Sequence, residues 1–324
     1  MLNCHAAAPS RRAALLALLA SLATVWPAGT LLAQDSATRF GELLGGIVGV
    51  RAEVPERART ASTLGTERIG SGVLIDTGGL ILTIGYLILE ARTAEVMFAD
   101  GRRLPAEIVG YDYGSGFGLL RAIGAVNLRP VRLGSARGLR QDTAVLVASF
   151  GGPQSVQPAR VTSRREFAGY WEYLLADAIF TAPPHPAFGG AALLDREGRL
   201  VGIGSLAVND AQAGEFLPGN LFVPIDALHP AIADLLTDGR PQSPARPWLG
   251  VYTEQARDRL FIVRVADEGP AQRAGLKRGD VIVKVAGQSV VSMADFYRKV
   301  WALGEAGVTV RIKSSLGRRA ESGD

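Results

Sequence analysis

Cysteine, histidine and lysine are the scarce chemistry of this 324-residue sequence. The single cysteine, Cys4, precedes an apolar run near the N-terminus, so a chain cleaved after that run carries no thiol. That excludes disulfides, a cysteine nucleophile and thiolate metal sites. Of the three histidines only His185 and His229 lie beyond the run. No cluster of Asp and Glu at ligand spacing accompanies them, so neither a metal nor another cofactor is expected. No lysine occurs before Lys277, which removes a Ser–Lys dyad from the larger, N-terminal part of the chain. The formal net charge is only +4, and loss of Arg11 and Arg12 with a leader lowers it by two. Without a basic cluster interleaved with aromatics, nucleic acid is not an expected partner.

What is abundant is apolar residue and glycine: 48% and 39 residues, the composition of a turn-rich, largely β protein. The length suggests about two domains. Arg11-Arg12 followed by the apolar run 13–26, the breakers Pro27 and Gly29, and Leu32-Ala33 before Gln34-Asp35 reads as an export signal over residues 1–33. The run is short for a membrane span, so a cleaved leader and a periplasmic protein are expected, with an inner-membrane anchor as the alternative. Ser10-Arg11-Arg12 and Leu15 half-match a twin-arginine signal.

Short apolar runs then recur at regular spacing. Following a helical or mobile lead-in over 34–46, strands are expected at Ile47–Ala52, Gly70–Asp76, Leu80–Thr83, Ala94–Phe98, Ala106–Val109, Gly118–Arg121 and Thr143–Ala148. A polar loop is expected through Thr66 and a hairpin turn at Thr77-Gly78-Gly79. Such a series argues for a β-barrel or sandwich. A helix near Ile225–Leu236 closes this part, and a Gly/Pro/Ser-rich linker covers 238–246.

Several collinear blocks resemble the HtrA (Deg) family of trypsin-like serine proteases. Gly70–Asp76 and Gly79–Ile88 match its G-S-G-V-x-I-D and G-x-I-L-T-N-x-H-V-V patterns; Asp100-Gly101-Arg102 and Gly110–Arg121 match the next block. Ile179–Leu194, IFTAPPHPAFGGAALL, resembles the nucleophile loop. The resemblance implies a trypsin-like double β-barrel over 34–237. It also places the general base at Tyr86, the orienting aspartate at Gly116, the nucleophile at Phe188 and one oxyanion donor at Pro186, which has no N–H to give. All three triad positions depart from the pattern. Phe188 also has a packing reading, as a plug of the adjoining cavity. Asp112, Ser115, Ser149 and Ser163 read as turn residues, and Tyr86 is a poor base near neutral pH.

Residues 247–324 resemble a PDZ domain of the bacterial HtrA arrangement: Pro247-Trp248-Leu249-Gly250-Val251, then Phe261–Val265, Gly269-Pro270-Ala271 and Gly279-Asp280-Val281-Ile282. Val281–Val285 reads as an alternating, half-buried strand. Ser292 caps a helix with Met293, Phe296, Tyr297, Val300 and Trp301 on one face. The resemblance implies that Trp248, Leu249, Gly250 and Val251 receive a peptide's terminal carboxylate and that Met293, Phe296 and Val300 wall the groove. An all-core helix face is the alternative. The final strand, near Gly317–Asp324, is expected to be short or missing. The fold expected is therefore mainly β, a double barrel followed by a small α+β PDZ domain. The function expected is that of a proteolytically inactive envelope protein binding polypeptides or protein C-termini, as adaptor or holdase, and assembling with itself or with an active relative. The alternatives are an endopeptidase with a non-standard site and a purely structural protein.

Overall fold

The computed structural model describes residues 40–316; the expected leader and the stretch Gly317–Asp324 lie outside the described residues. A helix over 40–45 (α1) leads into β1 (Ile47–Glu53). The expected polar loop that follows contains one short helix, α2 (Ala61–Leu64). Then come β2 (Glu67–Leu74), β3 (Leu80–Ile84), β4 (Thr93–Met97), β5 (Arg103–Tyr111) and β6 (Phe117–Ala122). They close a six-stranded barrel in the order β1-β2-β3-β6-β5-β4. Every residue of β3 is buried, which is why its sequence, Leu-Ile-Leu-Thr-Ile, does not alternate.

A second closed barrel follows, with the order β10-β11-β12-β9-β8-β7. It is built from β7 (Ala144–Ala148), β8 (Val156–Gly169), β9 (Tyr173–Ala182), β10 (Ala192–Leu194), β11 (Leu200–Val208) and β12 (Gly219–Pro224). Val147, Val161, Ile179, Leu193, Val201 and Phe222 fill its interior. The closing helix is shorter than the sequence suggested. A single 3₁₀ turn, Ile225–Ala227, precedes α3 (Ile232–Asp238). Pro230 lies between them and cannot donate to a continuous helical ladder.

The C-terminal domain is a sheet in which β13 (Val251–Ala256), β14 (Arg259–Val265), β15 (Asp280–Val285) and β16 (Gln288–Ser289) run in order, with β17 (Ile312–Leu316) also pairing to β15. β17 is the last described strand, and the expectation for Gly317–Asp324 lies outside the described residues. The helices are α4 (Pro270–Arg273) and α5 (Met293–Trp301). Ser292 caps α5 as expected, accepting from the Asp295 N–H at 3.0 Å. The alternation expected for Val281–Val285 is broken: Val281 and Ile282 are both buried, beside a register shift between Ile282 and Lys284.

Candidate functional site

Tyr86 sits in the single 3₁₀ turn that follows β3, Gly85–Leu87. Its hydroxyl crosses to the second barrel and donates to the Ser205 carbonyl at 2.9 Å. Its own carbonyl is held by Arg68, a nearly buried guanidinium that also donates to the Leu89 carbonyl and the Thr60 hydroxyl. Burial pushes the Tyr86 phenol well above its usual range. The group is a neutral donor, already engaged.

Gly116 takes φ +84°, a left-handed backbone that an aspartate enters only with strain, and a Cβ there would lie 3.4 Å from the Tyr173 hydroxyl. The neighbouring Asp112 carboxylate accepts from the N–H groups of Gly114 and Ser115 and, at 2.5 Å, from the Ser115 hydroxyl. It holds a turn.

The loop 183–190 is fixed by close backbone approaches. Gly189 O accepts from Ser71 N–H at 2.8 Å. A Cβ on Gly190, at φ +74°, would lie 1.9 Å from the Ser71 carbonyl, so this position requires glycine. Phe188 is half-buried, which does not make it a core plug. The group nearest a Cβ on Gly189 is the Tyr86 hydroxyl, at 2.9 Å, and neither Phe188 nor Gly189 carries a nucleophile. Pro186 is exposed. The next amide, Ala187 N–H, is taken by His185 Nδ1 at 3.1 Å.

His185 itself is a loop staple. It is 5% exposed, and its backbone N–H donates to Asn220 Oδ1 at 2.6 Å. Burial lowers its pKa. His229 is exposed. Ser163 donates to the Ala211 carbonyl, and the buried Ser149 hydroxyl has no partner among the described residues. No hydrogen bond joins Ser115, Ser149 or Ser163 to either histidine among the described residues.

The C-terminal domain presents a different arrangement. Gly250, at φ +76° and flanked by the Trp248 ring, turns the chain so that three successive N–H groups converge. They converge on a carboxylate of this same chain. Leu249, Gly250 and Val251 donate to Glu172 at 3.0, 2.7 and 3.0 Å. Glu172 is at the tip of the β8–β9 hairpin. Two residues back, the Tyr170 carbonyl accepts from Thr253 N–H on the edge of β13 at 2.9 Å. The Tyr297 hydroxyl, buried on α5, donates to Gly169 O at 2.7 Å and accepts from Glu172 N–H at 3.2 Å. Arg298 pairs with Glu166. Burial pushes the Glu172 carboxyl up, against the pull of the three N–H donors.

The residues expected to bind peptide thus divide. Leu249, Gly250 and Val251 supply the convergent donors; Trp248 is 43% exposed under the Arg59 guanidinium. Met293 is half-buried at the start of α5. Phe296 and Val300 do not wall an open groove: they are 0% and 1% exposed in the domain core, against which Ala168 and Leu174 of the hairpin also pack. Glu172 went unread in the sequence, where nothing local marks it.

Residues 70–203 match the trypsin-like peptidase domain and residues 247–317 match the PDZ domain. A protein of Pseudomonas putida strain W619, described as a probable periplasmic serine endoprotease DegP-like, is 28% identical over 275 residues, 80% of this chain and 54% of the relative. A protein of Halomonas elongata with the same description is 28% identical over 85% of this chain and 59% of its own length. The chain is similar to HtrA-type proteases in both its trypsin-like and its PDZ domain. The chain spans about half the length of the curated relatives it matches. Solved HtrA structures share its fold. A variant of the HtrA-type protease AlgW with a tripeptide has a TM-score of 0.53 at 21% identity, covering 88% of this chain and 92% of that one. The serine endoprotease from Yersinia pestis has a TM-score of 0.51 at 23% identity, covering 87% and 92%.

Proposed function

We propose that this HtrA-like chain is a non-proteolytic peptide-binding protein of the bacterial envelope, exported by a cleaved leader and acting as an adaptor or holdase through its PDZ domain. The observation that carries the reading is the Tyr86 hydroxyl. At the position of the general base stands a neutral phenol committed to the Ser205 carbonyl. It faces a loop with no hydroxyl at Phe188 or Gly189 and no N–H at Pro186. Hydrolysis of an amide needs a nucleophile, a base and oxyanion donors together. The relatives' description as periplasmic supports the location. The PDZ match and the convergent N–H groups support recognition of a carboxylate-terminated peptide.

The test is digestion of casein by the full chain, read by mass spectrometry, with the fold checked by circular dichroism. No cleavage above the buffer control is expected. Specific cleavage that survives repurification sinks the proposal. The relatives' description as serine endoproteases favours a second reading, an endopeptidase with a rearranged site. A fluorophosphonate adduct mapped to one serine would establish it.

A further inference from the structure

The three N–H groups of the PDZ loop are already saturated by a carboxylate, and it belongs to the chain itself. The likeness to a bound peptide goes beyond the charge. Residue numbers descend along the hairpin, from Glu172 at Val251 to Tyr170 at Thr253, while they ascend along β13. The tip therefore lies on the free edge of β13 in the antiparallel sense, with a carboxylate at one end and a main-chain N–H···O bond two residues away. Apolar side chains complete the seat, since Ala168 and Leu174 pack against the domain core to which Val251, Phe296 and Val300 belong. Tyr297 fastens the turn from beneath.

The hairpin's backbone bears on the choice of residue. Glu172 takes φ +60°, a left-handed conformation that glycine or asparagine fills with less strain. A glutamate there is explained by what its side chain reaches, not by the turn it makes.

We propose that Glu172 is an internal ligand of the PDZ domain: the β8–β9 hairpin occupies the carboxylate loop and the β13 edge, and a polypeptide C-terminus binds only by displacing it. This rests on the peptide-binding reading above and adds its regulation. A tethered ligand competes at an effective concentration of about millimolar, so the apparent affinity for an external peptide falls in proportion to the open fraction.

The experiment uses the full chain and fluorescein-labelled decapeptides that differ only in their last residue, each made with a free carboxylate and as the amide. Fluorescence anisotropy compares wild type with Glu172→Gly, which relieves the turn while removing the carboxylate, and with Glu172→Gln, which keeps the shape without the charge. Amide hydrogen exchange at 249–253 is followed in parallel. The expected result is at least roughly tenfold tighter binding of the carboxylate peptides by Glu172→Gly, a smaller gain for Glu172→Gln, little binding of the amides, and faster exchange at 249–253 in the unliganded variants. Equal affinity in wild type and variants overturns the internal ligand while leaving peptide binding intact. Unchanged exchange at 249–253 overturns it as well, since Glu172 would not then be what closes the loop. No binding by any protein, with exchange accelerated in the variants, overturns the peptide-binding reading itself and the competition with it.

Discussion

The double substitution Tyr86→His with Phe188→Ser reinstates a base and a nucleophile at the two positions facing each other across the barrels, and it is expected not to make a protease. Two deficits remain. An imidazole at 86 would lack its orienting carboxylate, because position 116 is a glycine, held at φ +84° where another residue is strained; loss of that orientation costs about 10⁴ in turnover. Pro186 has no N–H for the oxyanion, a further loss of about 10² to 10³. Against an ordinary turnover of about 10 s⁻¹, the two together leave on the order of 10⁻⁵ to 10⁻⁶ s⁻¹, roughly one event per day or slower. Such losses overlap when groups act as a unit, and the larger alone still gives only about 10⁻³ s⁻¹. The assay is release of fluorescence from quenched casein over several days, with the fold verified by circular dichroism. Turnover above about 10⁻² s⁻¹ would refute the reasoning, because the geometry at 116 and 186 would then not matter.

Three further outcomes follow from named contacts. Tyr297→Phe strips buried partners from Gly169 O and Thr253 Oγ1, and should cost about 2 kcal/mol in urea denaturation, where no change would contradict the role given to that hydroxyl. Gly190→Ala drives a Cβ to within 1.9 Å of backbone at Ser71 and should abolish soluble expression; ordinary yield and stability would mean the loop can move aside. His185 is held below its usual 6.5 by burial, so the unfolded chain binds the proton more tightly than the folded one. Stability should then rise with pH between the lowered value and 6.5, and fall on acidification through that window. A Tm–pH profile as steep in His185→Gln as in wild type would reject the assignment.

Much of the first barrel could be read from spacing, since β1, β3, β4 and β6 begin and end within a residue of the apolar runs that announced them. The Gly189–Gly190 pair was legible too, because a loop pressed against a neighbouring strand has no room for side chains there. Other features hid for physical reasons. The hairpin β8–β9 carries Ser163-Arg164-Arg165-Glu166, a polar stretch half-covered on both sides, and such residues give no clean alternation. Phe296 and Val300 look the same in sequence whether they line a groove or a core, and the covering that decides it comes from Ala168 and Leu174, more than a hundred residues away. Glu172 was invisible for the same reason. Its partners, Leu249 to Val251, are 77 to 79 residues along the chain, and no local pattern records them.

Adjacent residues of that hairpin answer to different parts of the molecule. Glu172 faces the PDZ loop, whereas Tyr173, buried and stacked on Trp171, donates to Ser115 O at 2.6 Å in the turn that also carries Gly116. This anchor limits how far the hairpin can withdraw. Residues beyond Tyr173 belong to the β9 ladder with β8 and β12, so removing them from place would open the second barrel. Only the tip, 170–172, lies outside that ladder, and its ties are the ones to Tyr297, β13 and the PDZ loop. Opening of the groove should therefore be a local event. In Glu172→Gly, amide exchange is expected to quicken at 170–172 and 249–253 while 173–182 keeps wild-type protection. Accelerated exchange running through 173–182 would show instead that the groove and the barrel open together, and that Tyr173 does not hold the hairpin's root.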